Sequence, residues 1–214
     1  MAGCCDPRGC DDIFGSRFAR RTARAYRRRG LDPAAAWMVD FLAEDGIDGA
    51  SVLEIGGGVG DIGIELARRG AASVTTLELT AAYDQDAARL AGEAGVADRM
   101  QRRIVDVAAA PPGDVEEADV VVLHRVVCCY PDYPRLLGAA AALTRRRLAF
   151  SHPPRNAVSR AVIAAQNVAL AVGSKEFRTF AHPPHAMVGV VEQDGLGLVA
   201  RHRGRIWQAE GLAR

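Results

Sequence analysis

The segment VLEIGGGVGDIGIEL, residues 52–66, runs from a buried-strand pattern through five glycines in eight positions into a helix. Glycine alone offers positive φ with no Cβ, so such a turn brings backbone close to a nucleotide-like ligand. Two spacings overlap in it. Gly58, Gly60 and Gly63 fit G-x-G-x-x-G, the pattern of dinucleotide sites, whereas Gly56, Gly58 and Gly60 fit E-x-G-x-G-x-G, which suits S-adenosylmethionine. The glycines alone do not separate the two.

Outward from this turn, strand and helix patterns alternate. SVLEIG (51–56) reads as a strand, 61–69 as a helix closed by Gly70, and SVTTLEL (73–79) as a second strand. Residues 81–94 read as a helix, MQRRIVDV (100–107) as a third strand and ADVVVLHRVV (118–127) as a fourth. A helix over 132–143 and the strand RRLAFSH (146–152) follow. The tail offers an apolar helix over 156–172, a short helix at 185–193 and a strand pair around Gly204. This alternation predicts an α/β fold, a Rossmann-like doubly wound sheet that is mostly parallel and covered on both faces. Asp32 before Pro33 caps a further helix ahead of the turn. Residues 1–46 are read as a helical extension or lid, and 47–214 as the ligand-binding domain.

Three features decide the ligand. Glu54 lies two residues before the first glycine, where a pyrophosphate would be repelled by a carboxylate, while a sulfonium and an ammonium would not. Asp106 closes the third predicted strand, where it or its neighbour Val107 can meet an adenine. No Y-x-x-x-K pair exists, since Lys175 is the only lysine and residue 171 is alanine. Glu78, with Leu79 beside it, falls about 20 residues past the central glycine, where an acid accepts ribose hydroxyls. The expected cofactor is S-adenosylmethionine, held by Glu54, Gly56, Gly58, Gly60, Glu78, Leu79, Asp106, Val107 and His124.

In VLEIGGGVG, TLELT, IVDV and ADVVVLHRVVCCYPD, the chain resembles the class I S-adenosylmethionine-dependent methyltransferases over about 51–152. That resemblance implies a seven-stranded sheet ending in an antiparallel hairpin. The Tyr130-Pro131 pair and the tail are weakly similar to magnesium-protoporphyrin O-methyltransferases. The motifs are specific for the cofactor and say little about the substrate; the expected acceptor is a small molecule, with oxygen of a hydroxyl or a carboxylate as the methylated atom. A hydroxyl acceptor needs a base near neutrality, and His124 and His152 end strands four and five on the ligand edge. A carboxylate acceptor needs alignment by a cation, which Arg125 can supply.

Composition sets the remaining bounds. At 214 residues, one full domain is the natural size. No apolar run reaches the ~20 residues of a membrane span. An N-terminus without a secretory pattern, and five cysteines in two clusters, point to the cytoplasm. Residues 14–30 carry seven arginines and no acid, with Phe14, Phe18 and Tyr26 on one helical stripe. The expected role is a surface helix or lid; an RNA-methylating enzyme tracking phosphates is the alternative. The cysteines (Cys5, Cys10, Cys128 and Cys129 foremost) are read as thiols, with a shared soft-metal site at the cavity mouth as the alternative. A non-catalytic sensor that binds the cofactor is the third reading. Oligomeric state is not legible.

Overall fold

The computed structural model describes residues 13–173 and 175–214. Seven strands form one sheet in the order β3-β2-β1-β4-β5-β7-β6. They are β1 (Ser51–Ile55), β2 (Ser73–Glu78), β3 (Met100–Ile104), β4 (Ala118–Leu123), β5 (Thr144–His152), β6 (Gly197–Arg203) and β7 (Gln208–Ala213). β1 to β5 run parallel, and β7 pairs antiparallel with both β5 and β6. The expected class and closing hairpin are both present.

Helices cover both faces. α1 (Ser16–Arg29), α2 (Pro33–Ala43), α3 (Asp61–Arg68) and α4 (Asp84–Ala94) share a core with Val52, Val120 and Val122. α5 (Tyr133–Ala142) and α7 (Pro184–Glu192) share the other with Leu53, Val121 and Leu123. Alternate residues of one strand feed opposite cores, as a side-chain period of two requires. α2 belongs to the body: Met38 and Leu42 are buried, and a Cβ at Gly211 of β7 would come within 2.8 Å of the Phe41 ring. α1 is held by Ala19 and Ala23 inside, by Tyr26 donating to Glu65 at 2.6 Å, and by the Arg27–Glu93 pair.

α6 (Ala157–Val172) has the apolar composition of a core helix yet buries none of its residues. Val158, Val162, Val168 and Val172 are all more than half exposed. Its anchor is polar: Asn167 donates to the Thr179 carbonyl at 2.8 Å and accepts from the Thr179 N–H at 2.9 Å.

Two strands are shorter than their apolar patterns. β3 ends at Ile104, not residue 107, because the Asp106 carboxylate accepts from the Ala108 N–H at 3.1 Å and turns the chain. β4 ends at Leu123, not residue 127, because Arg125 is left-handed (φ 62°) and Val127–Cys129 form a 3₁₀ turn.

Candidate functional site

β1 lies between β2 and β4, so the chain crosses over at its carboxyl end, where ligands bind in open α/β sheets. A cavity of ≈ 220 Å³ opens there. Its floor is the glycine turn, its walls are Leu77–Thr80, Val105–Val107, His124–Val126 and Cys129–Tyr130, and Phe14, Phe18 and Thr22 of the α1 region face it. Those three recur every four residues, so one stripe looks inward. The arginines at 17, 20, 21, 24 and 28 line a separate outer surface.

Gly56, Gly58 and Gly60 adopt φ of 65°, 57° and 77°, which non-glycine residues rarely hold. A Cβ at Gly58 would meet only the Tyr83 ring, at 3.6 Å, so this glycine is set by its backbone angle and by what approaches it. Gly57 is different: a Cβ there would lie 2.4 Å from Glu54 Cδ. Gly63 is closed from two sides, at 2.7 Å from Val74 Cγ1 and 2.8 Å from Glu54 Oε2.

Glu54 therefore lies beneath the turn and does not line the cavity. Its carboxyl accepts from Thr76 Oγ1 at 3.3 Å and from the Gly63 N–H. Burial first, then Asp61, pushes its pKa up to about 8, with Arg102 acting in the opposite direction. Two carboxylates do face the cavity. Asp61, at the start of α3, is shifted upward by burial, although His124 and the Ile62 N–H oppose this. Glu78, at the end of β2, is raised by burial and accepts from the Gly58 N–H. Leu79 and Val107 stand on the apolar wall. Asp106 lines the cavity too, its two oxygens each 3.1 Å from the Tyr130 hydroxyl that donates to them.

His124 and Arg125 leave β4 into a closed network. Arg125 donates to Asp32 Oδ2 at 2.8 Å, and the same oxygen lies 3.0 Å from His124 Nε2. Burial opposes ionisation of Asp32, but His124 and Arg125 hold it well below the usual carboxylate range. An ionised carboxylate only accepts, so the Nε2–H donates to it, and Nδ1 lies 2.9 Å from Ser151 Oγ. Ser151 in turn accepts from the Arg125 N–H at 2.8 Å, which fixes the left-handed residue. The Arg125 guanidinium lies 5.2 Å from the Trp207 ring centroid. Both ring nitrogens of His124 are thus engaged.

His152 is not brought to the cavity. Adjacent strand residues face opposite ways, so Ser151 meets His124 while His152 turns to Glu210 of β7, 3.4 Å away. There, with Arg201, it holds Glu210 below its ordinary pKa against the opposing effect of burial. It braces the hairpin. Cys128 and Cys129 lie side by side on the turn after β4, whereas Cys5 and Cys10 lie outside the described residues. Among the described residues no group of three or more His, Cys, Asp or Glu is arranged to hold a metal ion.

A family model described as a methyltransferase domain matches residues 24–197. The chain belongs to that family. It is a class I S-adenosylmethionine-dependent methyltransferase, and S-adenosylmethionine is its cofactor. Among solved structures, magnesium protoporphyrin IX methyltransferase from Synechocystis PCC 6803, crystallised with S-adenosylhomocysteine, is similar at 19% identity and TM-score 0.73, covering 96% of this chain and 98% of that one. An O-methyltransferase family protein from Burkholderia thailandensis is similar at 20% identity and TM-score 0.70, covering 92% of this chain and 58% of its own. An O-methyltransferase family 2 protein from Planctomyces limnophilus in complex with apigenin gives 19% and 0.68, over 92% and 61%. At these identities the likeness is one of fold. The search of curated proteins gives no match.

The residues of this methyltransferase fit its cofactor. A left-handed glycine turn leaves backbone open to approach, and Ile55, Leu79 and Val107 offer apolar contact. Asp61 and Glu78 are carboxyls destabilised by burial, a setting that favours a cationic ligand. Sequence reading missed Asp61, Ser151 and Trp207, and it saw in Asp32 only a helix cap. An acid in the first turn of a helix is too common a feature to single out Asp61.

Proposed function

We propose that this methyltransferase esterifies a carboxylate of a small-molecule acceptor, with α1 serving as a lid. When bound, the cofactor supplies an electrophilic methyl group, and the protein supplies binding, alignment and exclusion of water. The carrying observation is the contrast between His124 and Arg125. His124 has no nitrogen available for a proton from a hydroxyl while Asp32 and Ser151 hold it. Arg125 keeps N–H donors beyond the one given to Asp32, and its left-handed backbone is braced by Ser151. A carboxylate is already ionised at neutral pH and asks only for such alignment. A bounded cavity facing Phe14, Phe18 and Thr22 supports a small acceptor. The RNA reading is disfavoured because the arginines of α1 line the opposite surface.

The test is transfer from methyl-labelled cofactor to panels of carboxylic acids, phenols and RNA. Label that mild alkali releases as methanol supports the ester. Label that resists alkali, or that enters RNA, overturns it.

A further inference from the structure

β7 runs against β5, so its first residues, and not its last, reach the carboxyl edge of the sheet. Gln208 pairs with His152 at the end of β5, and Trp207 stands one residue beyond that pair. The turn that delivers it is tight. A Cβ at Gly204 would lie 2.1 Å from the Trp207 carbonyl oxygen, a backbone atom that cannot swing aside. Glycine at 204 lets the chain close, and pairing on both sides of Gln208 holds the residue before it. Ile206 of the same turn is left three-quarters exposed, whereas the Trp207 side chain is partly buried.

The indole meets two residues of the site. Its ring centroid lies 5.2 Å from the Arg125 guanidinium carbon and 6.0 Å from the His124 ring centroid. Arg125 and His124 line the cavity, and Trp207 does not. Any part it has in the chemistry is exerted through them.

Arg125 has need of such a neighbour. Its side chain is about half exposed, and it meets Asp32 through a single nitrogen, Nη2. A half-exposed ion pair of that kind is weak and leaves the guanidinium free to pivot about one contact. The indole adds a second hold of a different kind. An electron-rich ring face attracts the guanidinium without consuming any of its N–H donors. One nitrogen on Asp32 and the ring against the guanidinium together fix its orientation, and donors remain for a ligand.

We propose that Trp207 is a positioning residue of this site, its ring holding the Arg125 guanidinium in one orientation. That the held guanidinium receives an acceptor carboxylate rests on the esterification proposed above; the holding itself does not.

The test reads the Arg125 side chain directly, by nitrogen-15 relaxation of its Nε–H in the full chain bound to S-adenosylhomocysteine. Loss of the signal in Arg125→Lys identifies it. In the parent its order parameter should approach about 0.85, the value of rigid backbone. Trp207→Leu, which keeps apolar bulk without a ring, should bring it below about 0.6, and Trp207→Phe should restore most of it. Trp207→Leu should also raise KM for the best-methylated carboxylic acid of the panel by about two- to fivefold, with kcat little changed. That is the scale of one exposed cation–π contact. Retained S-adenosylhomocysteine affinity reports that each variant is folded. A mobile Nε–H in the parent overturns the proposal, and so does one that stays equally ordered in Trp207→Leu. A panel in which no acid is methylated removes the esterification, and the Nε–H signal then decides the positioning by itself.

Discussion

Asp32 and His124 stand 92 positions apart in the sequence, and their side chains meet at 3.0 Å. Asp32 also caps α2, its other oxygen accepting from Ala34 and Ala35 at 3.0 and 3.2 Å. One side chain thus starts a helix of the N-terminal segment and fastens it to the loop after β4. Asp32→Asn keeps the cap, since asparagine caps equally well, but removes the charge that Arg125 and His124 share. We expect it to cost about 1 kcal/mol, because Arg125 is half exposed and the pair is screened. The folded-state pKa is depressed, so this stability is present above the ordinary aspartate range near pH 4 and is lost on acidification below it. In chemical denaturation from neutral pH downward, the gap between parent and variant should begin to narrow below about pH 4 and close only as pH passes the depressed folded value; curves that stay parallel would refute the latch.

Glu54 gives the opposite sign. Its pKa is raised to about 8, so the folded state holds a proton that the unfolded chain releases near pH 4.3. Its contribution is complete below the unfolded value and disappears as pH rises through about 8. Glu54→Gln keeps the volume and removes the titration. Stability of the cofactor-free variant should fall less steeply than the parent's between about pH 5 and pH 8. Asp61 and Glu78, also raised, leave a residual slope of the same sign. An unchanged slope would mean that Glu54 is ionised in the folded protein.

Cofactor binding is expected to depend on the turn and on Glu78. Gly58→Val places a branched side chain at φ 57° over the cavity floor, and Glu78→Ala removes a wall carboxylate. Titration calorimetry should show S-adenosylhomocysteine affinity falling by more than about tenfold in each, the scale of one lost charge-assisted hydrogen bond. NADH should give no heat with the parent. Binding of NADH in preference would remove the basis of the cofactor assignment.

Arg20→Gln, Arg24→Gln and Arg28→Gln together should leave S-adenosylhomocysteine affinity unchanged, since all three belong to the outer surface of α1. Gel-shift measurements should find only weak RNA binding with the parent. Submicromolar affinity that collapses in the triple variant, with a log–log salt slope of roughly −0.7 per phosphate, would restore the RNA reading.

The sheet was legible because its signals are local. Period-two strands, glycine-closed helices and the turn itself lie within short windows, and every strand from β1 to β7 appears near its expected place. The exits from β3 and β4 were not legible. VVLHRVVCCY holds no glycine or proline, and the left-handed position that ends β4 is filled by arginine, a residue that rarely takes it. Asp106 turns the chain with its own side chain, which an apolar pattern does not register. His152 looked equivalent to His124 at a strand end, but one residue of register sends it to the hairpin instead. The network around His124 joins Asp32, Ser151 and Trp207 from three distant segments, and no window of sequence contains it.

The packing of Glu54 against Gly57 and Gly63 has a bearing on inheritance as well as on binding. With Cβ positions at 2.4 and 2.8 Å from its carboxyl group, the acid and these two glycines form one steric unit. A methyl group at Gly57 requires the Glu54 side chain to shift or shorten, whereas at Gly63 it also meets Val74 Cγ1 at 2.7 Å, so shortening residue 54 alone does not admit it. Substitutions at positions 54 and 57 are therefore epistatic: the order in which they arise decides how much strain a lineage passes through. Part of the glycine signature is thus kept by the acid next to it, and would drift with that acid even in a descendant that no longer bound the cofactor.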